Sequence, residues 1–178
     1  KFKDINNDGK INADDRVRRT KNSEPRFVGG FNVNLRYKNF DLMALFQGAL
    51  GAETYIQTWS GTVGNYLKDF YDKRWTTENP NVEHPRAYER ENQYWISNWN
   101  TYFIRSCDYL RLKNMELGYN ITLPALKNAG ISNARIYVNA TNIFTIDKLK
   151  VADPEADDRN ITSYPQRRVV NFGVSLTF

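Results

Sequence analysis

One cysteine (Cys107) and one histidine (His84) in 178 residues exclude an internal disulfide, a Cys-rich zinc site and a His-cluster metal centre. Any mechanism that needs two imidazoles is excluded with them. Long apolar runs are also missing: the longest clean one is Leu42–Phe46, far short of the roughly 20 residues of a membrane-crossing helix. A helical span is thereby ruled out. A β-barrel is not, because barrel strands hide their apolarity in alternation. No charge sign dominates: 25 Lys+Arg against 20 Asp+Glu leave +5, too mild for a nucleic-acid surface. The chain starts at Lys1 without Met and shows no basic–apolar–small leader, so it reads either as cytoplasmic or as lacking its original N-terminus. Aromatic residues, by contrast, are plentiful at 14%, with 11 Tyr and 10 Phe, and require a location.

Period-2 alternation supplies one. Five segments alternate: about 26–37, 40–50, 109–121, 134–146 and 168–178. In the first, Phe27, Phe31, Val33, Leu35 and Tyr37 oppose Gly30, Asn32, Asn34 and Arg36. The second puts Phe40, Leu42, Ala44 and Phe46 on one face, less cleanly. In the third, Met115, Leu117, Tyr119 and Ile121 oppose Asn114, Glu116, Gly118 and Asn120. The fourth sets Ile136, Val138, Ala140 and Phe144 against Arg135, Tyr137, Asn139 and Thr141. The last sets Val170, Phe172, Val174, Leu176 and Phe178 against Asn171, Gly173, Ser175 and Thr177. No helical period competes, and residues 123–129 form at most a short turn of helix.

The connections run short, long, short, long: Lys38-Asn39, then 51–108, then 122–133, then 147–167. Tight turns at one end and extended loops at the other are the pattern of an outer-membrane barrel. A β-sandwich has no reason to collect its long loops at one end, so an all-β antiparallel barrel segment is the favoured fold. Tyr37, Phe40, Tyr119 and Phe178 all fall at the short-turn end on the apolar phase, where an interfacial aromatic girdle belongs. The final strand ends on Phe178, with Leu176 two residues before it and Gly173 five before it. Such an ending looks like the C-terminal signal that outer-membrane proteins present to the barrel-assembly machinery.

Several segments, in order, now resemble one family: Asp4-Ile5-Asn6-Asn7-Asp8-Gly9-Lys10-Ile11, Tyr37-Lys38-Asn39-Phe40-Asp41-Leu42, Phe46-Gln47-Gly48, Tyr109-Leu110-Arg111-Leu112-Lys113-Asn114, Leu117-Gly118-Tyr119, Asn142-Ile143-Phe144, Asp153-Pro154-Glu155 and Tyr164-Pro165. Nearly the whole chain resembles the C-terminal part of a SusC/RagA-type TonB-dependent outer-membrane transporter. The resemblance implies about five strands of a roughly 22-stranded barrel in the Gram-negative outer membrane. It further implies uptake of oligosaccharides or peptides, a SusD-like surface lipoprotein partner and coupling to TonB through a plug that would precede Lys1.

Residues 1–25 form an external loop in this reading. Asp4, Asn6, Asp8 and Asp15 take positions 1, 3, 5 and 12 of a calcium-type loop, with Gly9 at position 6 and the Lys10 carbonyl at position 7. Asp15 is shorter than the usual Glu, which resemblance to dockerin-type loops makes acceptable. The loop therefore reads either as a structural Ca²⁺ site or as metal-free Asx turns. Trp59, Trp75, Trp95 and Trp99 all lie in the 51–108 loop, suited to stacking on sugar or a partner, or to giving a long loop its own small core. Arg86 and Arg90 read as contacts for an acidic partner or as solvated charges. Asp153, Glu155, Asp157 and Asp158 read either as a cation-binding cluster or, in preference, as a solvated acidic face. No nucleophile–base spacing and no phosphate-binding Gly-rich loop is present, so no enzyme is expected. The rival reading is a secreted, calcium-stabilised β-sandwich for carbohydrate binding or adhesion.

Overall fold

The computed structural model describes residues 2–56, 68–84, 86, 100–156 and 163–178. Five strands form one antiparallel sheet: β1 (Phe27–Tyr37), β2 (Phe40–Leu50), β5 (Tyr109–Ile121), β6 (Asn133–Asp147) and β7 (Val169–Thr177), paired in that order. Two three-residue strands, β3 (Glu53–Tyr55) and β4 (Ile104–Ser106), pair with each other beyond the long-loop end of β2 and β5. A short helix, Pro124–Asn128, sits in the β5–β6 turn.

The register turns alternation into two faces. Val33, Ala44, Met115, Ala140 and Val170 form one continuous cross-strand row, and Leu35, Leu42, Leu117, Val138 and Phe172 form the next. Tyr37, Phe40 and Tyr119 make a further row at the short-turn end, with the Phe40 and Tyr119 rings 4.7 Å apart. Phe178 lies four residues beyond Val174, the β7 residue level with that row, so the girdle at this level is built from three rings. The apolar face is bare: Leu35, Phe31 and Val174 are exposed, and Phe172 is 85% exposed. No described element packs across it; the sheet strands contact chiefly their hydrogen-bonded neighbours. A sandwich would need a second layer on this face, and none of the described elements supplies it.

The buried residues lie elsewhere. Ala52, Ile56, Cys107 and Leu149 cluster at the long-loop end, with Val151 and Ala152 against them. Gly51, at φ +90°, lets the chain leave β2 for β3 in a conformation a side chain would strain. Its N–H donates to Asp108 Oδ1 (2.7 Å), and Lys148 Nζ donates to Asp108 Oδ2 (2.9 Å), joining the ends of β2, β5 and β6. The N–H of Gly51, ahead of the Lys148 ammonium, holds the Asp108 carboxyl below its usual range.

β6 has 15 residues, and at about 3.3 Å each it is roughly 50 Å long. Tilted by about 45° it spans roughly 35 Å along the membrane normal, about 10 Å more than an apolar band about 25 Å tall.

Candidate functional site

The opposite face is polar and carries two charge clusters. Near the short turns, the Arg135 guanidinium bridges Asp41 and Glu116, at 2.8 Å from Glu116 Oε1, and Asn120 donates to Asp41 Oδ2 at 3.2 Å. Gly118 makes this possible: a Cβ there would sit 2.2 Å from Arg135 Nη2. Gly173 likewise leaves room for the Tyr137 ring, whose Cζ would lie 2.3 Å from an added Cβ.

The second cluster depends on a bulge. Counted back from Tyr119, strict alternation would put Arg111 and Tyr109 on the apolar face and Leu110 and Leu112 on the polar one. Leu45 pairs with Asn114 while Phe46 pairs with Leu112, so Lys113 is the extra residue of a β-bulge. On the β6 side, Asn142 and Ile143 intervene between the partners Thr141 and Phe144, with Asn142 at φ +52°. The bulge inverts the phase, returning Leu110 and Leu112 to the apolar face and Arg111 to the polar one.

There the Arg111 side chain is 3% exposed. Its Nη2 donates to Asp153 Oδ1 (2.8 Å), Nη1 to Glu155 Oε2, and Nε to Thr145 Oγ1 (2.8 Å). Glu155 also accepts from Tyr109 OH (2.7 Å), Lys113 Nζ (3.3 Å) and the Gln166 amide. Asp153 accepts the N–H groups of Glu155 (3.0 Å) and Gln166 (3.4 Å). Burial alone would raise both carboxyls. The Glu155 N–H and Arg111 override it at Asp153, the Tyr109 hydroxyl and the Arg111 and Lys113 charges override it at Glu155, and both are held below their ordinary values. The reading of Asp153 and Glu155 as a solvated face is therefore corrected: they are the loop's anchors. Asp157 and Asp158 fall outside the described residues. The missed signal was the phase conflict at Arg111, which demanded a bulge, together with two loop carboxylates to match one arginine.

The other residues singled out by sequence fall elsewhere. In the 4–15 loop, Asp4 accepts from the N–H groups of Asn7 (2.7 Å) and Gly9 (2.8 Å), Asn6 from that of Asp8 (3.0 Å), and Asp8 from that of Lys10 (2.8 Å). Asp15 accepts from Ile5 (2.7 Å) and Asn12 (2.8 Å), and the Asn12 N–H, ahead of that of Ile5, lowers its carboxyl. Asn6 and Asp8 close Asx turns, while Asp4 and Asp15 hold backbone N–H groups three to ten residues away. Among the described residues no group of three or more His, Cys, Asp or Glu is placed to hold a metal.

Trp75 is half-buried, its backbone N–H donating to the His84 carbonyl and its ring 6.0 Å from Arg86. Trp59, Trp95, Trp99 and Arg90 lie outside the described residues. His84 is buried with Nδ1 2.7 Å from Tyr102 OH, and Cys107 is a member of the apolar cluster. Leu176 sits on the apolar face opposite Ala134, and Phe178 is exposed past the end of β7.

No family model matches the sequence. Curated relatives do. TonB-dependent receptor P3 of Formosa agariphila is 32% identical over 194 residues, covering 99% of this chain and 19% of that protein. TonB-dependent receptor P26 of the same organism is 31% identical over 195 residues, covering 100% of the chain and 19% of the relative. The chain is a TonB-dependent receptor homologue. It spans about a fifth of the length of these receptors. Its fold is similar to part of the solved RagAB peptide importer in the 'open-open' state, with TM-score 0.71 and 26% identity over 95% of the chain and 19% of the importer chain. The relatives of this receptor homologue are thus named for reception and import, not for catalysis.

Proposed function

We propose that this chain forms part of the barrel wall of a TonB-dependent nutrient importer in the Gram-negative outer membrane. The observation that carries this reading is the bare apolar face. Rows of aliphatic side chains cross all five strands, uncovered by any described element and bounded by an aromatic row at the short-turn end. Water is a poor neighbour for such a face, whereas lipid tails are a good one. The polar face then lines the lumen, the long loops are extracellular, and barrel-assembly machinery reads the terminal strand. A SusD-like lipoprotein is the partner, and oligosaccharides or peptides are the cargo. The likeness to a peptide importer supports peptides within this cargo class.

The test is fractionation of the full-length protein carrying this segment. We expect recovery from outer membranes only with detergent, with a surface lipoprotein co-purifying. Recovery in a soluble fraction without detergent would overturn the reading. Calcium in the 4–15 loop is a separate proposal, supported by residue spacing alone. Calorimetric titration of the full-length protein should show one Ca²⁺ site that Asp8→Ala removes; a wild type giving no binding heat, or heat unchanged by D8A, sinks it.

A further inference from the structure

Arg111 is the most deeply buried cation described on the polar face, and its two carboxylate partners come from a loop more than 40 residues later in the chain. The cluster is electrically balanced: Arg111 and Lys113 face Asp153 and Glu155 across contacts of hydrogen-bond length. The balance matters because a buried guanidinium without counterions is costly, whereas one gripped by two carboxylates holds both in one geometry. The loop's backbone is held through the same carboxylates, since Asp153 accepts the N–H groups of both Glu155 and Gln166.

Two clefts take their shape from this grip. An open one of ≈ 620 Å³ is walled by Arg111, Thr145, Asp153 and Gln166, with Lys150 and Arg168 also lining it. A smaller one of ≈ 220 Å³ has Pro154, Glu155 and Ala156 on one side and Val28, Ala49 and Tyr109 on the other.

We propose that Arg111 is a positioning residue: through Asp153 and Glu155 it fixes loop segments 153–156 and 163–168 against the polar face and so sets the shape of both clefts. Only the consequence for cargo rests on the importer reading, in which these clefts belong to the chamber that receives it. Loosening the loop would then weaken cargo capture without stopping translocation.

The experiment is hydrogen exchange on the full-length receptor in detergent, comparing wild type, Arg111→Lys, Arg111→Gln and the double variant Asp153→Asn/Glu155→Gln. In Arg111→Gln the amides of Glu155, Ala156 and Gln166 should exchange at least about tenfold faster, while the paired amides of β5 and β6 keep their protection. Arg111→Lys, with a point charge in place of the fork, should fall between. The double variant leaves Arg111 in place and should free the same amides, which keeps the test decisive if Arg111→Gln does not fold. Unchanged exchange at those amides in the double variant, or equal loss of protection along the strands, overturns the proposal. In uptake assays the apparent KM should rise with the maximal rate retained. A wild type that imports nothing defeats the importer reading, yet the exchange result still decides the role of Arg111.

Discussion

Replacing Met115 by Arg in the full-length protein is expected to remove most of the folded chain from the outer membrane, whereas Asn114→Arg, one residue away, is expected to be tolerated. Met115 lies on the apolar face in the row Val33–Ala44–Met115–Ala140–Val170. That row is four residues from the aromatic row of Tyr37, Phe40 and Tyr119. For strands tilted about 45° this is roughly 9 Å along the membrane normal, close to the middle of a band about 25 Å tall. An arginine on the lipid face costs about 2–4 kcal/mol at that depth. Against a native stability of roughly 5–15 kcal/mol, such a loss is a large fraction. Met and Arg have similar reach, so the substitution tests charge rather than volume, and Met115→Leu should be near neutral. Asn114 is exposed on the polar face, where an added guanidinium stays in water. The measurement is the amount of heat-modifiable protein in purified outer membranes. Equal yields for M115R and N114R would mean that the apolar face does not meet lipid.

The sequence makes the two faces legible because a strand has only one way to separate apolar from polar neighbours, and period 2 survives wherever the ladder is regular. β1 and β2 show this: from Phe27 opposite Leu50 to Tyr37 opposite Phe40 the register is unbroken. Alternation fails where the ladder is irregular. From Tyr109 to Lys113 the apolar residues are Tyr109, Leu110 and Leu112, a pattern that fits neither phase of the strand downstream, and only the pairing partners reveal the extra residue. The β3–β4 pair was equally hidden, since three-residue strands carry too little pattern to register. The anchor escaped for a different reason. Asp153 and Glu155 look like surface charge in a loop, and their value depends on an arginine 42 and 44 positions earlier in the chain that local spacing cannot connect to them.

Removing the guanidinium of Arg111 should be more damaging than deleting Lys113, the extra residue beside it. Without Lys113, Leu112 directly precedes Asn114, so the ladder becomes regular and every residue from Tyr109 to Leu112 keeps its partner on β2 and its face. Arg111 and Tyr109 would stay on the polar side, and Leu110 and Leu112 on the apolar one. Arg111→Gln instead abandons the cluster: Asp153 and Glu155 would be left half-enclosed without their guanidinium, and breaking a buried pair costs roughly 3–5 kcal/mol. Lys113→Ala separates the two roles of this residue, because it keeps the bulge and removes only the contacts to Glu155 and Gln166, at 3.3 Å and 3.1 Å. K113A should therefore fold to near wild-type levels with the amides of Glu155 and Gln166 still protected. The deletion should likewise assemble with those amides protected, whereas Arg111→Gln should assemble poorly or with those amides exchanging. A deletion variant that fails to reach the membrane, or reaches it with the 153–156 segment fully exchanging, would show that the bulge itself, and not the register alone, is needed to place Arg111.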